Sequence, residues 1–203
     1  MAIFDIEELD VAHVTDEQAA AIGRLALSFN FLESCVDEAI SFIISPPDAS
    51  GIGVLTARLG FDAKISRLEA IVKHFRHSLA MPDVAEATVD QIHTWAAESI
   101  GQLPGLLKRL RDAAEFRNRL VHSKIKLKSN QRHGTLISRA GLEITSDPST
   151  ISAEARRMGG LGIAVAMFGQ QFHGSVRNFK QLRARSDKLS LLSKTGQTCS
   201  VAC

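Results

Sequence analysis

The sequence predicts a mainly α fold, an up-down antiparallel bundle of four to five helices with a small β-hairpin or meander inserted before the last helix. Of the 203 residues, 45% are hydrophobic, and only five are proline and none is tyrosine. This composition suits one helix-rich domain with a sizeable core. Several long segments show apolar residues at alternating intervals of three and four, the period of a helix with one buried face. Their connections are short, which favours antiparallel neighbours.

The first helix is predicted to begin at Thr15 and to end before the prolines at 46 and 47. Thr15 followed by Gln18 resembles a capping box, in which each side chain bonds the backbone amide of the other residue. Proline stops a helix because it has no amide hydrogen to donate. Between these limits an apolar stripe is formed by Ile22, Leu25, Phe29, Leu32, Val36, Ala39 and Ile43.

A second helix is predicted from about Asp62 to a point before Pro82. Its apolar stripe consists of Ile65, Leu68, Val72, Phe75 and Leu79. The basic residues of this segment do not belong to that stripe. We therefore expect them on its outward face, at positions Lys64, Arg67, Lys73 and Arg76.

Two helices are predicted between Asp83 and His122, because Gly101 and Pro104 interrupt the pattern and the second of them begins at about Gly105. The apolar stripe of this fourth helix can be drawn in two ways. One contains Leu103, Leu106, Leu110, Ala113, Arg117 and Leu120, and the other contains Leu107, Leu110, Ala114, Arg117 and Val121. An arginine therefore lies in a stripe of otherwise apolar residues in both cases.

Residues 123–146 are predicted to form the β insertion, because short extended segments alternate there with glycines. A closing helix follows, from about Ser152 to Arg185. We expect residues 1–186 to form a single domain and 187–203, which are small and polar, to form a disordered tail.

The sequence favours a cytoplasmic protein. The N-terminus lacks a basic region followed by an apolar run, so no secretory signal is expected. The longest uncharged stretch, residues 158–176, contains glycines, two glutamines and a histidine, so we expect no membrane span. An odd set of three cysteines, two of them in the last five residues, argues against a disulfide framework.

Charge is distributed unevenly along the chain. Residues 1–107 carry 6 Lys/Arg against 16 Asp/Glu, a net charge of −10, and the remainder carries +12. Residues 108–139 include ten basic and two acidic residues, which gives a local charge of +8. Such a region would attract a polyanion. The alternative is that helix ends and a hairpin are simply solvated by lysine and arginine.

The centre of this basic region is the hexapeptide Arg117-Asn118-Arg119-Leu120-Val121-His122 at the end of the fourth helix. Arg117 needs a carboxylate or an anion if it is buried, because an unpaired buried guanidinium is costly. Glu33, on the core-facing edge of the first helix, is the candidate partner. Alternatively, the two form an internal ion pair without catalytic purpose, or Arg117 extends to water. A histidine in the last helical turn is also explained by the helix dipole.

The spacing within the hexapeptide limits how one helix can use it. At 100° per residue, Arg117 and His122 are about 140° apart around the helix axis, whereas Asn118 and His122 share a face. A composite site is easier to form where the helix frays at Ser123, or where two copies of the helix meet across a twofold axis.

The hexapeptide resembles the RNxxxH signature of HEPN-domain ribonucleases, and the resemblance in architecture covers roughly residues 15–185. It implies metal-independent RNA cleavage with a 2′,3′-cyclic phosphate product. His122 would act as general base on the ribose 2′-hydroxyl, Arg117 would stabilise charge on the scissile phosphate, and Asn118 would orient the phosphate or the histidine. Arg119 departs from the neutral residue that would pack more easily there, and would serve as a further phosphate contact.

On this resemblance we expect a homodimeric endoribonuclease of toxin or defence type, with RNA as substrate, an antitoxin protein as a further partner, and neither cofactor nor metal. Glu33 would support the catalytic residues. The expected RNA contacts are Arg111, Arg119, Lys124 and Lys126. The alternatives are a catalytically inactive HEPN-like homodimeric module that binds RNA or a protein partner, and a purely structural dimerisation module. His74 and His77 lack a third ligand nearby in sequence, so we expect no metal site there.

Overall fold

The computed structural model describes residues 15–44, 56, 58–79, 86–126, 135–137, 143–144 and 147–194. These residues form four helices, α1 (Asp16–Ile44), α2 (Phe61–Leu79), α3 (Glu86–Val121) and α4 (Pro148–Lys194). They also include three short strands, β1 (Lys124–Lys126), β2 (Thr135–Ile137) and β3 (Glu143–Ile144). The prediction of a mainly α helical bundle is confirmed.

The three strands form an antiparallel sheet in the order β1-β2-β3 and lie within the segment predicted as the β insertion. Ile125 is opposite Leu136, and Leu136 is opposite Ile144. The residues that connect the strands, 127–134 and 138–142, lie outside the described part of the chain.

The chain divides into two compact units, which are described separately. Unit 1 combines Met1–Cys35 with Arg109–Ile163, and unit 2 combines Val36–Lys108 with Ala164–Cys203. The boundaries fall inside α1, α3 and α4, so each of these helices contributes to the core of both units. A single domain over residues 1–186 stays a prediction.

Helix α1 begins with the predicted capping box. The amide of Thr15 donates to Oε1 of Gln18 at 3.0 Å, and the amide of Gln18 donates to Oγ1 of Thr15 at 3.2 Å. Two of the amides that lack a partner within the helix are satisfied in this way. The predicted stripe is buried from Leu25 onward, at Leu25, Phe29, Leu32, Val36, Ala39 and Ile43.

Helix α2 buries Ile65, Leu68 and Val72 in unit 2, as its periodicity predicts. One expectation for this helix is wrong: Lys64 is not on the outward face but only 4% exposed. Its ammonium lies 2.7 Å from Oδ2 of Asp37 on α1. Lys64 precedes Leu68 by one turn and so shares its buried face, and the carboxylate makes that position tolerable for a cation.

Helix α3 is continuous from Glu86 to Val121, so the predicted break at Gly101 and Pro104 is wrong. Pro104 is exposed, and the amide that it lacks costs one bond of the helical ladder. Burial of leucines on both sides of it outweighs that loss, at positions Leu103, Leu106, Leu107 and Leu110. Of the two possible stripes the first is correct at its end, because Leu120 is buried whereas Val121 is 51% exposed.

Asp147 directly precedes helix α4, and its carboxylate accepts bonds from the Ser149 hydroxyl, the Thr150 hydroxyl and the Thr150 amide at 2.5, 2.7 and 2.9 Å. These bonds lower the pKa of Asp147 from 3.8 to about 2. The helix continues to Lys194, beyond the predicted end at Arg185, and residues 195–203 lie outside the described part. Its buried stripe contains Met158, Leu161, Val165, Phe168, Phe172 and Ser175.

Candidate functional site

The hexapeptide occupies the last turn of α3. His122 lies one residue beyond the helix, and its amide still donates to the Asn118 carbonyl oxygen at 3.1 Å. The next residue closes the turn more tightly, because the amide and hydroxyl of Ser123 both reach the Leu120 carbonyl oxygen, at 3.2 and 2.6 Å. The buried side chain of Leu120 fixes this turn to the core of unit 1. The end of the helix is therefore well defined at the motif.

Arg117 is half-buried, and its guanidinium is placed by an aromatic ring. The guanidinium carbon lies 5.3 Å from the centroid of the Phe29 ring. Phe29 is on α1, in the predicted apolar stripe, and is 5% exposed. The negative face of an aromatic ring attracts a cation within about 6 Å of its centroid. This contact keeps the charge of Arg117 beside the core of unit 1.

A second contact joins Arg117 to its neighbour. Nη1 of Arg117 donates to Oδ1 of Asn118 at 3.0 Å. A guanidinium has donors only, so the amide of Asn118 must turn its oxygen toward the arginine. The amide nitrogen of Asn118 is left with two hydrogens to donate elsewhere. Because Asn118 is exposed, these donors can meet a ligand from solvent.

The expected ion pair between Arg117 and Glu33 is not among the contacts that Arg117 makes with the described residues. The reason lies in the spacing on α1. Phe29 and Glu33 are one turn apart on the same face of that helix. Arg117 contacts Phe29, one turn before the residue that was predicted. Glu33 is half-buried and has an interaction of its own. Phe29 is the site residue that the sequence argument assigned to the core alone.

The exposed face of α3 carries the other predicted residues. Arg111, Asn118 and His122 are exposed and lie, with Glu115, within about 60° of one another around the helix axis. Arg119 is exposed at the edge of this stripe, and its Nε lies 3.8 Å from Oε1 of Glu115. An exposed pair of this kind contributes little stability and can exchange its partner. The stripe therefore offers cations and hydrogen-bond donors along about 16 Å of helix.

For two predicted RNA contacts the structure describes the backbone alone. Lys124 and Lys126 are the ends of β1, opposite Ile137 and Thr135. Their side chains lie outside the described part of the structure, as do the basic residues at 128, 132 and 139. Five predicted motif and RNA-contact residues lie in α3 or directly after it. Arg111, Asn118 and His122 share one exposed face, and Arg119 lies at its edge. Arg117 contacts that face through its bond to Asn118.

Metal, thiol and membrane features are limited among the described residues. They contain no group of three or more His, Cys, Asp or Glu that could hold a metal ion. Cys35 is a buried cysteine, and the other two cysteines lie outside the described residues. In length and composition α1 alone among the described helices could cross a membrane, with a third of its most apolar window buried in the protein. Core helices of soluble proteins and N-terminal signals share these properties.

Comparison with known proteins gave no match: no protein-family model, no curated protein and no solved structure is similar to this chain at the level searched. The hexapeptide and the contacts of its side chains are therefore the features of the molecule that bear on its function.

Proposed function

We propose that this protein is a metal-independent endoribonuclease of the HEPN type, serving as a toxin or in defence. One observation carries the proposal: the Arg117 guanidinium bonds Asn118, on the face of α3 where His122 is also exposed. An arginine that only balanced charge in the core would be bonded to a carboxylate. Among the described residues it is held by a ring and an amide, neither of which neutralises it, so its charge is available to an anion.

The chemistry assigns one role to each residue of the motif. His122 would take the proton of a ribose 2′-hydroxyl while the 2′-oxygen bonds to phosphorus and the bond to the 5′-oxygen breaks. The leaving oxygen would take a proton from the imidazolium or from water. Arg117 and the Asn118 amide nitrogen would donate to the phosphate oxygens as their charge grows. The products are a 2′,3′-cyclic phosphate and a 5′-hydroxyl, and these roles require no metal ion.

RNA is the substrate that the charged stripe supports. Arg111 and Arg119 are exposed on the same side of α3 as His122, and the helix rise separates Arg111 from His122 by about 16 Å. A polynucleotide lying along the helix would meet several donors, whereas a mononucleotide would meet only the motif. A homodimer and an antitoxin protein belong to the same proposal. Glu33 would support the site from α1.

The main alternative is a catalytically inactive HEPN-like homodimeric module that binds RNA or a protein. The observation in its favour is exposed apolar surface within unit 1. Leu27 and Phe31, one turn apart on α1, are 71% and 48% exposed, and Val121 is exposed beside His122. Exposed apolar side chains of this kind are typical of a surface that contacts another protein.

The test is an assay of purified protein on total RNA in EDTA, followed by analysis of the 3′ ends of the fragments. Wild type is compared with His122→Ala and Arg117→Ala, in which a catalytic contact is lost. Two matched controls, His74→Ala and Arg109→Ala, remove an exposed residue of the same type outside the motif. Circular dichroism establishes that all five proteins are folded.

The proposal expects cyclic-phosphate ends from wild type and both controls. A loss of general-base catalysis predicts a decrease of about 10²- to 10⁴-fold in His122→Ala. Cleavage that persists in both motif variants would assign the activity to another site or to a contaminant. RNA that stays intact with wild type, together with a dimer in sedimentation, would favour the inactive module.

A further inference from the structure

We infer that Phe29 is a positioning residue of the motif, holding the guanidinium of Arg117 and, through it, the amide of Asn118 in the arrangement that receives phosphate oxygens. Phe29 lies 88 positions before Arg117 in the chain and belongs to no motif. The inference rests on the proposed function for its catalytic consequence, whereas the positioning itself is tested independently below.

Phe29 restricts the conformational freedom of the Arg117 side chain. An arginine side chain is long and has many rotamers, so a guanidinium at a helix end samples many positions in solvent. The Phe29 ring, 5% exposed and fixed in the core of unit 1, lies 5.3 Å from the guanidinium carbon. Attraction to the ring face favours one position of the guanidinium over the others. The arginine is thus placed before any ligand binds.

Position 29 is occupied by an aromatic residue, although core packing requires only an apolar one. The stripe of α1 requires an apolar side chain at this position, and both neighbours in the stripe, Leu25 and Leu32, are buried leucines. Leucine at position 29 would satisfy the same apolar surface. Only an aromatic ring adds a negatively polarised face for the cation. The residue type at this position therefore serves Arg117 as well as the core.

The position of Arg117 in turn affects Asn118. Nη1 of Arg117 donates to Oδ1 of Asn118, which fixes the orientation of an otherwise exposed amide. Without the arginine the amide could turn and present its oxygen, an acceptor, to an incoming phosphate. An acceptor facing an anion would repel it. The order of contacts is therefore ring, guanidinium, amide and ligand.

The experiment compares wild type with Phe29→Leu, Phe29→Tyr and Leu25→Val. Phe29→Leu keeps an apolar side chain and removes the ring face, whereas Phe29→Tyr keeps an aromatic ring. Leu25→Val makes a buried side chain of the same stripe smaller and leaves the contact between Phe29 and Arg117 in place. The Arg117 Nε–Hε signal is followed by NMR, and kcat and KM are measured for RNA cleavage. Urea unfolding reports the stability of each variant.

We expect the ring-current shift of the Arg117 signal to be present in wild type, Phe29→Tyr and Leu25→Val and absent in Phe29→Leu. The kcat of Phe29→Leu should fall about 5- to 30-fold with little change in KM, because the guanidinium acts on charge that grows in the transition state. Recovery in Phe29→Tyr supports the inference. An equal loss of kcat in Leu25→Val, or an unchanged kcat in Phe29→Leu, would overturn it.

If wild-type protein leaves RNA intact, the ribonuclease proposal fails and the positioning inference is decided separately. The Arg117 signal is then titrated with inorganic phosphate. A weaker apparent affinity in Phe29→Leu than in wild type and Leu25→Val supports positioning by the ring. The same affinity in all three proteins would refute it.

Discussion

Replacement of Gly169 by alanine should lower the stability of the protein, although alanine is the better helix former. Gly169 lies on α4 in unit 2, directly against Ala39 of α1. A Cβ at this position would be 2.7 Å from the Cα of Ala39 and 2.8 Å from its Cβ. Carbon atoms pack at about 3.5–4.0 Å, so the two segments would have to separate by about 1 Å. The atom in the way belongs to the backbone and cannot rotate aside.

The expected magnitude is the difference between two effects. Alanine gains about 1 kcal/mol of helix propensity over glycine. Overpacking of a tight core costs about 1–3 kcal/mol, and the upper value applies because backbone must move. We therefore expect a net loss of about 2 kcal/mol in the free energy of unfolding. For a chain of this length, that corresponds to a decrease of about 4–8 °C in Tm.

Urea unfolding followed by circular dichroism measures this loss against two other glycines of the same helix. Gly160 is exposed with open space around its Cβ position, so Gly160→Ala should gain up to about 1 kcal/mol. At Gly162 a Cβ would lie 2.9 Å from the ring of Phe31, which is half exposed and can turn, so we expect a change near zero. A Gly169→Ala protein as stable as Gly160→Ala would refute the close approach of α4 to Ala39.

Three further stability predictions follow from the contacts of single side chains. Because the pKa of Asp147 is about 2 against an ordinary 3.8, its carboxylate stabilises the fold above about pH 4 and loses that contribution as the pH falls toward 2. The stability deficit of Asp147→Ala, measured by urea unfolding at several pH values, should therefore shrink over this range. Lys64→Met and Asp37→Asn should each cost about 1–3 kcal/mol, less than a fully buried pair because the Asp37 side chain is 29% exposed, and a double-mutant cycle should show coupling between them. Thr15→Ala should cost about 1 kcal/mol in the same assay through loss of the capping box, and no change would mean that the helix frays there.

The sequence was sufficient to predict features that depend on neighbours along one helix. The Thr15–Gln18 box and the buried stripe of α1 are both local, because each involves residues three or four apart. The same holds for the start of α2, predicted at Asp62 and observed at Phe61. Periodicity identifies which face of a helix is buried, so it predicted a mainly α bundle correctly.

Errors arose where another helix changes the balance of energies. Pro104 is a helix breaker by local rules, but leucines on both sides of it are buried and keep α3 continuous. Lys64 was placed outward by its charge, but Asp37 of α1 supplies a carboxylate at 2.7 Å. Asp37 lies 27 positions from Lys64, and the leucines around Pro104 are buried only where other segments cover them. One sequence does not reveal which distant residues meet.

The candidate site follows the same division. The hexapeptide predicted that Asn118 and His122 share a face, because that relation is fixed by the helical repeat, and both are exposed in the structure. The partner of Arg117 was not predictable in the same way, because Phe29 and Glu33 lie on one face of α1 and periodicity does not choose between them. Which of the two residues meets Arg117 depends on the axial position of α3 relative to α1, and the packing of the two helices sets that position.

Arg117 and His122 are about 140° apart around the helix axis, and from Arg117 the structure shows a contact with Asn118, which lies on the face of His122. Frayed backbone and a second copy were the two solutions expected from the sequence. The amide of His122 keeps its helical bond to Asn118, so the backbone does not turn the histidine toward the arginine. A site shared between two copies stays a prediction. Within one chain the Arg117 guanidinium lies over the Phe29 ring, and its Nη1 donates to Oδ1 of Asn118 at 3.0 Å. The link between the arginine and the face that carries His122 is therefore made within one chain, and Asn118 is its connecting residue. An Asn118→Ala variant should consequently uncouple Arg117 from that face while leaving its contact with Phe29 intact.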